Sequence, residues 1–122
     1  MTNSDPKDQQ RAQERRKTAR FPFVANCEVS EANSDARIKA RVSEISLYGC
    51  YVDMLNPPPV GARVFIKIFT EADFLETSAS VVYSHPNLGI GVTFRELGLH
   101  FMPVLQKWLL EAVRSSGRDE KA

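Results

Sequence analysis

Two short polar runs carry the side chains best suited to chemistry. The first is Arg15-Arg16-Lys17-Thr18-Ala19-Arg20, in which Arg16 and Arg20 stand four residues apart. A guanidinium is a planar fork of donors. It grips phosphate oxygens, or the O6 and N7 edge of guanine, in bidentate fashion, and it stacks on a base. Arginines on an arm therefore suit a phosphorylated purine, whereas the same charges on a solvated tail would recognise nothing in particular. The second run is Glu44-Ile45-Ser46-Leu47-Tyr48-Gly49. Glu44 offers a carboxylate to the N1 and N2 donors of guanine, and Ser46 offers a hydroxyl and a nearby amide to an anion. Gly49 is free to adopt a left-handed backbone. The plain alternative is a hairpin turn whose polar side chains cap its own backbone. Tyr48, beside Gly49, could stack on a base or crowd the site.

The elements that must position these runs are short strands. Phe23, Ala25, Cys27 and Val29 alternate with polar neighbours, and after a polar turn Ile38, Ala40 and Val42 do the same. Cys50, Val52 and Met54 form a third face, ended by Asn56-Pro57-Pro58-Pro59, where three prolines forbid ladder pairing and Gly61 closes the loop. Arg63 to Phe69 reads as a fourth strand, Leu75 to Tyr83 as a fifth, Ser84 to Asn87 as a turn, and Leu88 to Phe94 as a sixth. The last segment changes period. Leu97, Phe101, Leu105, Trp108, Leu109 and Val113 recur at helical spacing, Pro103 is tolerable only in a first turn or at a kink, and Gly117 is a natural stop. The expected fold class is all-β with a C-terminal helix: a six-stranded antiparallel barrel, closed or nearly so, capped by an amphipathic helix. Residues 1–14 read as a disordered polar tail, 15–116 as the domain, and 117–122 as a flexible tail.

Composition narrows the function. A chain of 122 residues has the size of one domain. Cys27 and Cys50 fall in apolar strand-like stretches and read as buried free thiols, not as a disulfide framework. His85 and His100 lack partners at metal-ligand spacing, so no metal site is expected. The sequence has no GxSxG elbow, HExxH or P-loop, so no catalytic residues are assigned and an enzyme is not expected. It also has no membrane-length apolar run and no signal-peptide core at the N-terminus, which reads as cytoplasmic. A formal net charge of +1 argues against wholesale nucleic-acid binding. The aromatic residues Phe65 and Phe69 have only Arg63 and Lys67 as basic neighbours.

Arg16-x-x-x-Arg20 before the first strand, followed by Glu44-x-Ser46-x-x-Gly49 after the second, resembles the two-part signature of the PilZ domain family, RxxxR and [DN]-x-S-x-x-G. Gly91-Val92-Thr93-Phe94 is similar to the end of that family's last core strand, so the resemblance runs from about Arg15 to Phe94. What the resemblance implies is a barrel that binds the bacterial second messenger cyclic di-GMP, often as an intercalated pair, with no resident cofactor. Arg16 and Arg20 would clamp the dinucleotide, with Arg15 as an auxiliary. Glu44, Ser46 and Gly49 would line the barrel side, and the bound state would be relayed to an unidentified protein partner.

One position departs from the pattern. Glu44 stands where the family has Asp or Asn, and its extra methylene displaces the carboxylate by more than an ångström, on the order of what disturbs a tuned site. Binding that is weakened but detectable is the expectation. The competing reading is a degenerate PilZ-like adaptor that has lost the ligand.

Overall fold

The structure, a computed structural model, describes residues 19–121; the expected tail over 1–14, together with Arg15 and Arg16, lies outside the described residues. Six strands follow in order: β1 Phe21–Glu31, β2 Ile38–Ile45, β3 Gly49–Asp53, β4 Arg63–Phe69, β5 Phe74–His85 and β6 Gly89–Arg95. All neighbours pair antiparallel, and the sheet closes on itself in the order β1-β2-β3-β6-β5-β4. Closure leaves no strand edge to template aggregation. One helix, α1 Met102–Lys121, follows the barrel.

Alternation decides the barrel interior. Ala25, Cys27 and Val29 of β1, Val64, Ile66 and Ile68 of β4, and Leu75, Ala79 and Val81 of β5 are buried in one core with Val52, Ile90 and Val92. Both cysteines are buried free thiols. The proline loop is tethered from its far side, where Gly61 donates to the Val81 carbonyl at 2.9 Å and takes a left-handed φ of 90°.

The ladder shifts register at three places, in β1 between Pro22 and Ala25, in β2 and in β5, and the last two re-aim side chains. In β2, Val42 pairs with Val52 and Glu44 with Tyr51, leaving Ser43 as an extra residue. In β5, Val81 pairs with Val92 and Tyr83 with Gly91, leaving Val82 extra. An inserted residue resets the phase of a strand and re-aims every side chain beyond it. Ile45 thereby points into the core, fully buried, and Glu44 turns outward. Tyr83 is turned outward in the same way. The fifth strand also runs on through His85, past the boundary expected from sequence, and the turn follows at Asn87, whose φ is 64°.

The helix buries Leu105, Trp108 and Ala112, spaced three and four apart, against β1 and β5. The Phe23 ring lies 5.4 Å from Trp108. Leu97 and Phe101 precede the helix, and Val113, expected on the buried face, is instead 44% exposed. Pro103 sits in the first turn, where its missing N–H costs nothing. Gly117 does not stop the helix, which continues to Lys121. A helical glycine costs only about 1 kcal/mol relative to alanine, and Arg118, Glu120 and Lys121 are good helix formers. The Lys107 ammonium holds Asp73 of the β4–β5 turn at 2.7 Å, tying helix to barrel.

Candidate functional site

Strand register brings the end of the first polar run toward the second. Phe21 pairs with Ile45 and Pro22 with Glu44, so the start of β1 lies against the end of β2. Arg20, two residues before Pro22, is exposed at the mouth of this pairing. Over the same stretch β3 advances one residue (Val52 to Tyr51), β2 two (Val42 to Glu44) and β1 three (Ala25 to Pro22). The sheet therefore bends next to Arg20, as bulged corners do.

The turn from Ser46 to Gly49 is self-contained. The Ser46 hydroxyl accepts from the Gly49 amide at 3.1 Å and the Tyr48 amide at 3.3 Å, and donates to the Gly49 carbonyl at 3.2 Å. A serine hydroxyl has one donor and two acceptor positions, so the turn uses its whole capacity. Ser46 is 6% exposed, and its own amide donates to the same Gly49 carbonyl at 2.9 Å. The Tyr48 carbonyl accepts from the Phe94 amide at 2.8 Å, fastening the turn to β6. Gly49 does not use the left-handed freedom open to a glycine; among described glycines only Gly61 and Gly89 have positive φ. Its constraint is a close approach. A methyl at Gly49 would run into the Val92 carbonyl oxygen and lie 3.2 Å from the Thr93 Cα. Tyr48 stands out from the turn, 59% exposed.

Sequence reasoning missed the neighbouring aromatic group. Glu44, Tyr51, Gly91 and Tyr83 form one row across β2, β3, β6 and β5. Because Gly91 has no side chain, Tyr83 folds over it; a Cβ there would strike the Tyr83 ring. The Tyr51 and Tyr83 rings stack with centroids 6.2 Å apart, and His85 lies 6.0 Å from Tyr51 and 5.4 Å from Tyr83. Tyr51 Oη is hydrogen bonded to His85 Nδ1 at 3.1 Å. The Arg20 guanidinium carbon is 5.2 Å from the Tyr83 centroid, a cation–π contact. Desolvation first, then the charges of Asp53, Tyr83 and Glu44, hold the Tyr51 phenol above its ordinary pKa, so it stays neutral. Asp53 accepts from Ser43 Oγ at 3.0 Å and from Arg41 at 3.2 Å, bracing the bulge that turns Glu44 outward. The signal for this cluster was the β5 bulge, which no single-residue pattern announces.

The opposite outer face is charge-balanced. Lys39, Glu28, Lys67 and Glu76 pair in sequence across β2, β1, β4 and β5, so like charges never adjoin. Such a ladder cancels its own field and offers no basic groove to nucleic acid. Among the described residues no helix is long and apolar enough to cross a membrane, and no group of three or more His, Cys, Asp or Glu is placed to hold a metal.

A family model for the PilZ domain matches residues 14–111, a span that includes the arginine arm, the turn and the first half of the helix. No curated protein matches the chain in sequence. Solved structures share its fold. The PilZ domain of YcgR from Escherichia coli, solved with c-di-GMP, superposes with a TM-score of 0.67 at 13% identity, over 88% of this chain and 98% of that one. The PilZ domain of CeSA from a cellulose-synthesizing bacterium gives 0.59 at 19% identity, over 73% and 92%. The inhibitor of motility MotI/DgrA of Bacillus subtilis gives 0.66 at 17% identity, over 85% of this chain and 52% of that protein. With a family model covering the arm, the barrel and the first half of the helix, on a closed six-stranded barrel, the chain belongs to the PilZ domain family.

Proposed function

We propose that the chain is a cyclic di-GMP receptor module, a binding rather than a catalytic unit, that works in the cytoplasm and passes its ligand state to a protein partner. The observation that carries this reading is the β1–β2 register. Pairing of Pro22 with Glu44 sets the end of the arginine arm beside the outward carboxylate and the Ser46–Gly49 turn. Arg16 and Arg20, with Arg15 as an auxiliary, supply cations for phosphate and the guanine edge. Glu44 accepts from guanine donors. Gly49 keeps the turn close against β6. Ser46, its hydroxyl spent within the turn, contributes by shaping that turn. The YcgR PilZ domain, similar in fold, was solved with c-di-GMP.

The test is calorimetric titration of the whole chain with cyclic di-GMP, beside an Arg16→Ala/Arg20→Ala control. Saturable heat that the control loses supports the receptor, and stoichiometry separates one ligand from an intercalated pair. Absence of heat, with an unchanged melting temperature at high ligand, makes the domain a ligand-free adaptor, the reading that Glu44 favours.

A further inference from the structure

Arg20 is turned onto Tyr83, its guanidinium carbon 5.2 Å from the ring centroid. Both groups are on the outer surface. Tyr83 is backed by Gly91 and braced laterally by Tyr51 and His85, which are joined to each other by the 3.1 Å hydrogen bond. The result is an aromatic cluster with the Arg20 guanidinium placed over the Tyr83 ring. A guanidinium is flat, delocalised and weakly hydrated, so it stacks where a heterocyclic base would stack.

We propose that Arg20 is the resident occupant of a base-stacking subsite built from Tyr83, Tyr51 and His85, and that a purine base binds by displacing it. This rests on the receptor reading above and extends it to residues outside both polar runs. Displacement is favourable on magnitude. An exposed cation–π contact is worth roughly two- to fivefold in an equilibrium constant, whereas a base stacked on an aromatic side chain is worth roughly five- to hundredfold. The displaced guanidinium is not lost to the complex. Its Cα is anchored two residues before the Pro22–Glu44 pair, so it is free to turn from the ring to the phosphate or guanine edge of the ligand that replaced it. The aromatic contact thus stores the clamp in a fixed place and blocks the platform until a ligand brings both a base and a phosphate. A phosphate alone has nothing to offer Tyr83.

The experiment uses the whole chain, cyclic di-GMP as probe, and Tyr83→Phe, Tyr83→Leu and Tyr83→Ala variants, with melting temperatures to exclude unfolding. Affinity should hold in Tyr83→Phe and fall roughly tenfold in Tyr83→Leu and Tyr83→Ala. Proton resonances of the Arg20 side chain should lie upfield in the free wild type, move downfield in Tyr83→Leu, and shift on ligand addition while the Tyr83 ring protons move upfield. Wild-type affinity in folded Tyr83→Leu, or Arg20 resonances indifferent to Tyr83, overturns the subsite and leaves the receptor standing. Failure of the wild type to bind removes the receptor reading and the subsite together.

Discussion

Pro22 lies opposite Glu44 in the β1–β2 ladder, and this one pair joins regions of chemistry more than twenty residues apart in sequence. Register is the agent. Beyond the Ser43 bulge the side chains again alternate between faces, so a slip of one residue would turn Glu44 inward and carry Arg20 away from the turn. Glu44 is therefore the first position at which to ask whether the site is tuned. Glu44→Asp shortens the carboxylate by one methylene and restores the family residue. It should tighten cyclic di-GMP binding by roughly five- to tenfold, in keeping with a gain of about 1–1.5 kcal/mol from one well-placed charged hydrogen bond. Titration calorimetry of the two proteins side by side checks this. Equal affinities would show that the carboxylate does not touch the ligand.

Ser46 should matter for stability before it matters for binding. Ser46→Ala removes one donor and two acceptor contacts at a position only 6% exposed, leaving the Tyr48 and Gly49 amides without the hydroxyl they donate to, while the Gly49 carbonyl keeps only the Ser46 amide. The expected cost is about 1–3 kcal/mol, read from urea unfolding midpoints at constant m. A loss below about 0.5 kcal/mol, the scatter of ordinary surface changes, would mean that the hydroxyl does not hold the turn.

Gly49→Ala should be worse than its small size implies. The added methyl meets backbone, the Val92 carbonyl, rather than a side chain that can swing aside. The β3–β6 pairing from Gly49–Thr93 to Cys50–Val92 must open to admit it. We expect destabilisation of about 1–3 kcal/mol or more, with slowed exchange lost first at the amides of Phe94 and Gly49. Hydrogen exchange by NMR would show this directly, and unchanged protection there would contradict the close approach.

The two buried thiols give a pH signature. Burial, then the charges of Asp53 and Glu28, push Cys27 up to about 12 from an ordinary 9.0. Burial, then Cys27, pushes Cys50 up as well. The folded state thus keeps protons that the unfolded chain releases above about pH 9. By linkage, stability is intact below pH 9 and falls as pH rises toward 12, at up to about 1.4 kcal/mol per pH unit for each thiol. Thermal unfolding from pH 8 to 10.5 should show this decline, and Cys27→Ala/Cys50→Ala should flatten it even if its absolute stability is lower. Identical slopes in the two proteins would place the decline on other groups. At pH 7.5 neither thiol should react with a thiol reagent while the barrel is folded.

The barrel was legible in the sequence because burial on one face imposes a period of two, and that period survives in β1, β3 and β4 almost residue for residue. The helix was legible through Leu105 and Trp108, since a period near 3.6 buries one stripe. The two polar runs were legible as chemistry, because arginine, carboxylate, serine and glycine each do few things. Three matters were decided only by the tertiary structure. The Ser43 and Val82 bulges reset the phase of β2 and β5, and with it the outward aim of Glu44 and Tyr83, because a bulge depends on what the partner strand presents. The demand for glycine at 49 comes from Val92, a backbone neighbour forty-three residues on, and not from a local turn conformation. The meeting of Arg20 with Tyr83 exists only once the sheet has closed, because barrel closure sets which strand ends share a surface. Local sequence states what each residue can do; long-range pairing decides which of them do it together.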